Sequence, residues 1–296
     1  MDKRLLALAA IAAMPVSAVA ADMAPKMYTK ALTPAPVVFW TGFYGGVNAG
    51  GAFGDGSFDT TGIPVSSNPA GVNQGAPATL NALAVAVTSH ASGSGSQFIG
   101  GAQFGYNFKS ASALVWGFEA DIQGLGGSGR TANAPTVSSF APFGFPNNSY
   151  GGTASFTERL DYFGTVRGRV GYLATPSLLA YATGGLAYGG AHLNSSYSIQ
   201  ETFPGFTTAI VSPISGAGSA SKTVAGWTAG FGLEWMFGPK WSAKFEYLYY
   251  DLGSVQASVP LTQVVFVTTP WATVQAQTST RFDGSIVRVG VNYHLN

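Results

Sequence analysis

The chain has 296 residues, no cysteine and a formal net charge of +1, and only 9% of its residues are charged. A soluble domain carries roughly 25%, so this composition excludes an ordinary soluble domain. The near-neutral balance gives no footing for nucleic acid, and the missing thiols exclude a disulfide framework and cysteine chemistry.

In chain order, residues 1–20 read as a signal peptide: Lys3 and Arg4, an apolar run from Leu5 to Met14, then Ala18-Val19-Ala20 as a small-residue cleavage site. The run is too short for a spanning helix, which needs roughly twenty residues. Cleavage leaves equal numbers of basic and acidic side chains. Residues 21–38, with Pro25, Pro34 and Pro36, predict an extended periplasmic linker, and 39–296 a single domain.

From Trp40 onward every second side chain is apolar or aromatic over stretches of about ten residues, the period of a β-strand. Eight strands are predicted, at 40–53, 96–108, 113–124, 157–172, 178–190, 223–237, 241–252 and 282–295. In the second, Phe98, Ala102, Phe104, Tyr106 and Phe108 oppose Gln97, Gln103 and Asn107. In the third, Leu114, Trp116, Phe118, Ala120 and Ile122 oppose Val115, Glu119, Asp121 and Gln123. The fourth sets Leu160, Tyr162, Val166, Val170 and Tyr172 against Asp161, Phe163, Thr165, Arg167 and Arg169. The fifth is rich in Gly and Ala and ambiguous in register; Ala180, Ala182, Leu186 and Tyr188 are turned to lipid. The sixth and seventh put Trp227, Phe231, Leu233, Trp235 and Trp241, Phe245, Tyr247 opposite Glu234 and Lys244, Glu246. The eighth opposes Val287, Val289, Val291 and Tyr293 to Arg288, Asn292 and His294.

The connections alternate. Residues 109–112, 173–177 and 238–240 are tight turns, whereas 54–95, 125–156, 191–222 and 253–281 are long and polar. Apolar strand faces, a signal peptide and short–long alternation together predict an all-β fold. It is an eight-stranded antiparallel transmembrane β-barrel with short periplasmic turns and long external loops, in the cell outer membrane. Trp40, Tyr106, Phe108, Trp116, Tyr172, Trp235, Phe237, Trp241 and Tyr293 gather beside the short turns as an aromatic girdle.

The segments Trp40-Thr41-Gly42-Phe43-Tyr44-Gly45-Gly46, Ala182-Thr183-Gly184-Gly185-Leu186-Ala187-Tyr188-Gly189, Glu246-Tyr247-Leu248-Tyr249-Tyr250-Asp251-Leu252-Gly253 and Val287-Arg288-Val289-Gly290-Val291-Asn292-Tyr293 carry a resemblance. They are similar to the small outer-membrane barrel proteins of alphaproteobacteria, porin-like surface antigens related to the OmpA transmembrane domain. The resemblance implies delivery by periplasmic chaperones and insertion by the barrel assembly machinery. The family usually ends in an aromatic residue, whereas this chain ends in Leu295-Asn296, which leaves Leu295 to serve in the insertion signal.

Glu119, Asp121, Glu234 and Glu246 face the lumen with Arg167, Arg169, Lys244 and Arg288. Equal numbers in a space just wide enough for side chains predict a paired plug rather than a conduit. No catalytic residue, cofactor or metal site is expected: His90, His192 and His294 share no ligand spacing. His192 is followed by Leu193 and Asn194, which supplies no Ser two residues on for a hydrolase. Phe140, Phe143, Phe145, Tyr150, Phe203, Phe206, Phe266 and Trp271 fall in the long loops, where binding usually sits. The reading is a non-enzymatic barrel supporting envelope integrity with at most weak small-solute permeation, in contact with outer-membrane lipid and lipopolysaccharide. A loop-based receptor or adhesin, for a planar ligand such as haem, is the alternative class, and a membrane-embedded hydrolase the third.

Overall fold

The computed structural model describes residues 39–67, 76–110, 112–140, 148–203, 210–265 and 269–295, so the predicted signal peptide and linker lie outside the described residues. Eight strands follow one another: β1 (Gly42–Ser67), β2 (Ser89–Lys109), β3 (Leu114–Phe140), β4 (Asn148–Thr175), β5 (Leu178–Phe203), β6 (Ile210–Met236), β7 (Trp241–Val265) and β8 (Thr269–His294). One helix, α1 (Ala76–Val87), lies between β1 and β2. Each strand pairs antiparallel with the next, and β1 pairs with β8, Val47 opposite Val291, to close the ring. Closure is what hydrocarbon demands, because an open edge there would leave backbone groups without partners.

The strands run 21 to 28 residues, where a tilted membrane strand needs about 9–11. Much of each strand therefore projects beyond the bilayer, and the segments expected to be long loops are largely strand. The outward apolar positions of β3 run from Leu114 to Ile122 and mark the lipid belt. Phe104, Phe118, Phe231 and Phe245 all point outward within it.

Above the belt the strands reverse their sense. In β8 one face stays inside throughout, but it carries Arg288, Asn292 and His294 in the membrane part and Val274, Ala276 and Phe282 above it. The opposite face changes from Val287, Val289 and Val291 to Thr273, Gln275, Gln277 and Arg281. Lipid rewards apolar side chains outside; water rewards them inside. In β7 a bulge makes the change: Asp251 pairs with Asp283 and Ser254 with Arg281, so two β7 residues oppose Phe282. Gly253 there takes φ +80°, a conformation that L side chains rarely adopt, and its N–H donates to Asp251 Oδ1 at 3.0 Å. After the bulge Val255, Ala257, Val259 and Leu261 point inward.

The upper interior is an apolar core of Phe58, Phe156, Phe163, Leu193, Ile199, Val259 and Phe282, and α1 lies in it. The helix packs against β1, β3 and β8, with Leu83 and Val87 fully buried and Val85 exposed. Twelve residues of mostly Ala, Leu and Val form a marginal helix alone; burial of one face holds it. Thr88 closes its last turn, donating from Oγ1 to the Ala84 carbonyl at 2.9 Å and accepting from Gly62 N–H at 3.0 Å.

Near the upper rim Glu201 is buried against Gln263, whose amide donates to it while Tyr150 donates to the Gln263 oxygen at 3.0 Å. Burial pushes the Glu201 carboxyl up to about 7, with a hydrogen bond from Asn148 pulling the other way. The group lies 13 residues beyond Tyr188, the last outward aromatic of β5's membrane part. A raised carboxyl favours the folded state only while protonated. Its stabilisation is full below the unfolded value near 4.5 and is lost as pH rises through about 7. Thermal melts between about pH 5 and about pH 8 should therefore fall with rising pH, and Glu201→Gln should reduce that slope, Glu158 keeping a share because burial pushes its carboxyl up to about 7 as well. An unchanged slope in the variant would assign the dependence elsewhere.

A charge-filled lumen and its aromatic belts

Within the membrane all eight predicted lumen charges are at most 5% exposed. Their Cβ atoms point inward because each occupies the odd or even phase opposite the lipid-facing aromatics of its strand. Arg167 is the hub. Its guanidinium reaches Glu119 at 2.5 Å, Asp121 at 3.0 Å and Glu246 at 3.0 Å. Arg288 meets Glu246 at 2.5 Å and Asp121 at 2.8 Å, and Lys244 meets Glu119 at 2.7 Å. Arg169 bonds Glu234 at 2.5 Å and lies over the Tyr181 ring, 4.2 Å from its centre.

Two of these pairs, Glu119–Arg167 and Glu246–Arg288, are neighbours in register on adjacent strands. Others cross the lumen. Glu234 and Lys244 face each other on β6 and β7, yet Glu234 takes Arg169 of β4 and Lys244 takes Glu119 of β3. In an eight-stranded barrel long side chains reach the opposite wall, so the network ties together five strands.

Neutral groups missed by sequence reasoning complete it. Tyr44 donates to Glu119 at 2.8 Å and accepts from Arg169 at 2.9 Å; Tyr181 donates to Glu246 at 3.0 Å. Ser242 and Asn292 donate to Glu234 at 2.6 and 2.9 Å. Both tyrosines need room from glycine: a Cβ on Gly105 would stand 2.4 Å from the Tyr44 oxygen, and one on Gly232 2.5 Å from the Tyr181 ring. The sequence signal was an inward Tyr opposite Gly on the next strand, legible only once register is known.

The girdle residues Trp116, Tyr172, Trp235, Phe237, Trp241 and Tyr293 lie exposed on the outer face near the short turns. Tyr106 and Phe108 are half-buried there, because Phe43, Tyr106, Phe108 and Trp116 form a run of rings with centres 4.3 to 4.6 Å apart. Trp40 corrects the expectation: it is 1% exposed and not part of the girdle. It precedes β1, so no strand phase directs it outward. Its indole crosses the base of the barrel, donates to the Pro176 carbonyl at 2.9 Å and packs with Val115, Leu179 and Met236. Trp227 and Tyr249, 5.5 Å apart, mark the opposite membrane boundary.

Of the aromatic residues expected in loops, Phe143, Phe145, Phe206 and Phe266 lie outside the described residues, and Phe203 and Trp271 fall within β5 and β8. Phe140 and Tyr150 stack across β3 and β4 at 5.3 Å.

The family model and the curated relatives agree with this architecture. Residues 6–294 match the family model described as outer membrane protein beta-barrel domain. Two curated relatives, each named 31 kDa outer-membrane immunogenic protein, come from Brucella melitensis biotype 1 and Brucella suis biovar 1. Each is 34% identical over 249 residues, 83% of this chain and 86% of the relative. Among solved structures, OprG from Pseudomonas aeruginosa aligns at 11% identity and a TM-score of 0.39, covering 88% of this chain and 98% of that one. Ail from Yersinia pestis aligns at 11% and 0.25, covering 83% and 99%. With a closed eight-stranded ring, a lipid-facing belt, the family model over residues 6–294 and the two Brucella relatives, the chain belongs to the outer membrane protein β-barrel domain family and resides in the cell outer membrane.

Proposed function

We propose that the protein is a closed-lumen barrel that displays a rigid, surface-exposed tower and contributes to envelope integrity, with no more than trace permeation of small solutes. The observation that carries this is the doubly filled interior: the charge network in the membrane and the apolar core with α1 above it. Neither layer leaves charged groups facing a water column, and the lumen side chains serve structure rather than catalysis. The strand extensions rise on the order of 30–40 Å above the bilayer, given about 3.3 Å per residue and a barrel tilt. Their outward faces, with Thr153, Ser155, Gln275 and Gln277, suit contact with lipopolysaccharide sugars and water. The name of the Brucella relatives, immunogenic protein, supports surface display as the reading. Assembly is proposed to follow the periplasmic chaperone and barrel-assembly route of the family.

Planar-bilayer recording on refolded protein tests the closed lumen. The expected trace stays at baseline apart from rare, brief openings. Steady conductance in most insertions would replace this reading with a porin.

A further inference from the structure

On the outer wall, just above Tyr162 and Tyr188, three side chains from three adjacent strands stand in a row. His192 of β5 lies between Ser221 of β6 and Asp161 of β4. The Ser221 hydroxyl is 2.7 Å from His192 Nδ1, and His192 Nε2 is 2.5 Å from Asp161 Oδ2. With the ring proton on Nε2 donated to Asp161, Nδ1 presents its lone pair to the Ser221 hydroxyl. Nucleophile, base and orienting carboxylate are thus in hydrogen-bond series, the relation by which such a triad is recognised whatever the chain order. The imidazole and carboxylate remain 29% and 42% exposed, open to a substrate arriving along the wall.

The fold makes this row deliberately. Simple alternation would send Asp161 into the lumen, as the sequence predicted. A β-bulge overrides it: Leu160 pairs with Ala191 and Phe163 with Gly189, so Asp161 and Tyr162 both oppose Gly190. The phase slips by one, Leu160 turns inward and Asp161 outward toward His192. Bulges concentrate where a side chain must be re-aimed. Gly190 has no Cβ because one would stand 2.6 Å from the Tyr162 ring, which lies across it. The Tyr162 hydroxyl then meets Thr223 at 2.9 Å and forms a floor directly below the triad. His192 and Ser221 are direct cross-strand partners, so their spacing is held by the ladder.

We infer that Asp161, His192 and Ser221 form a hydrolytic site on the outer wall for carboxylic esters of outer-leaflet lipids. The Ser221 oxygen attacks the ester carbonyl carbon while its proton passes to His192 Nδ1. The tetrahedral adduct collapses by breaking the acyl C–O bond, and the departing alkoxide takes that proton as an alcohol. Water then gives a proton to the same nitrogen and attacks the acyl-Ser221 carbonyl; the acyl C–Oγ bond breaks, Ser221 Oγ takes the proton back from Nδ1, and the fatty acid leaves. Side chains are placed to supply the oxyanion donor. Asn194 is two residues beyond His192 on the same face and diagonal to Ser221, at the roughly 7–8 Å spacing of such neighbours. Arg159, opposite His192 and 3.4 Å from Asp161, places a cation beside the site for a lipid phosphate. The height of the row, immediately beyond the last aromatics of the belt, matches the headgroup level, where ester carbonyls lie. This inference concerns the outer wall and is independent of whether the lumen conducts.

The test uses full-length protein refolded into detergent and into vesicles of phospholipid with lipopolysaccharide. A fluorophosphonate probe should label the parent on Ser221, and the vesicles should release free fatty acid. Ser221→Ala should abolish labelling, and His192→Ala and Asp161→Asn should slow release roughly a hundredfold or more, as expected for loss of a general base and its orienting group. Ser215→Ala, on the same strand, should label like the parent. Heat-modifiable migration on gels confirms that each variant remains a folded barrel. An unlabelled parent, or labelling that survives Ser221→Ala, overturns the proposal. Cleavage of soluble short-chain esters with no release from vesicles overturns the lipid assignment.

Discussion

Arg167→Ala should destabilise the folded barrel by about 3–5 kcal/mol, the usual cost of removing one partner from a buried ion pair. Arg167 is fully buried and meets Glu119, Asp121 and Glu246, so its removal leaves four carboxylates facing three cations in a space without bulk water. The lost charge matters more than the lost volume. A double variant, Arg167→Ala with Asp121→Asn, restores the balance and should recover part of the loss, since residues in one network are not additive. Urea unfolding of refolded protein measures both. The single variant should also open more often in a planar bilayer, because the guanidinium that bridges β3, β4 and β7 is gone. If single variant and parent unfold together and conduct alike, the network is not what closes the lumen.

Phe231→Arg should hinder membrane insertion by roughly 2–4 kcal/mol, the cost of an arginine on the lipid face near the bilayer midplane. Phe231 is 59% exposed on the outer wall and stacks on Tyr247 with ring centres 5.3 Å apart. The measurement is folding yield into vesicles, with Phe231→Leu as the apolar control. The control should insert like the parent while the arginine variant remains in the unfolded band. Equal yields for all three would mean that this face does not meet lipid, and the inside-out sense of the barrel would fail with it.

Within the membrane the sequence was legible because one physical rule governs it. Lipid outside and a tight lumen inside demand strict alternation, so Phe118 and Glu119, or Phe245 and Glu246, announce their own directions. Even the Gly- and Ala-rich fifth strand turns Ala180, Ala182 and Leu186 outward as expected. The rule changes above the bilayer, where water outside rewards the opposite alternation. Val255, Ala257 and Val259 between Ser254, Gln256 and Ser258 form a strand pattern of the soluble kind, which read as loop beside the stronger membrane signal. Helix α1 was missed for a related reason: its Ala-rich dozen residues gain their stability from the core they enter, not from local propensity.

Composition, strand count, closure and the identity of the lumen charges were determined by the sequence alone, because period-two patterning and a scarcity of charge admit few other solutions. Tertiary structure decided what depends on register and on distance across the barrel. It paired Arg169 with Glu234 and Lys244 with Glu119 across the lumen, and it drew Trp40 from the girdle into the base. It also turned Asp161 from the lumen to the outer wall beside His192 and Ser221. A one-residue slip at a bulge reverses a side chain's direction without altering the alternation around it. A partner on the opposite wall is fixed only by the barrel's diameter and stagger. Both are properties of the closed ring, and neither is written in any single strand.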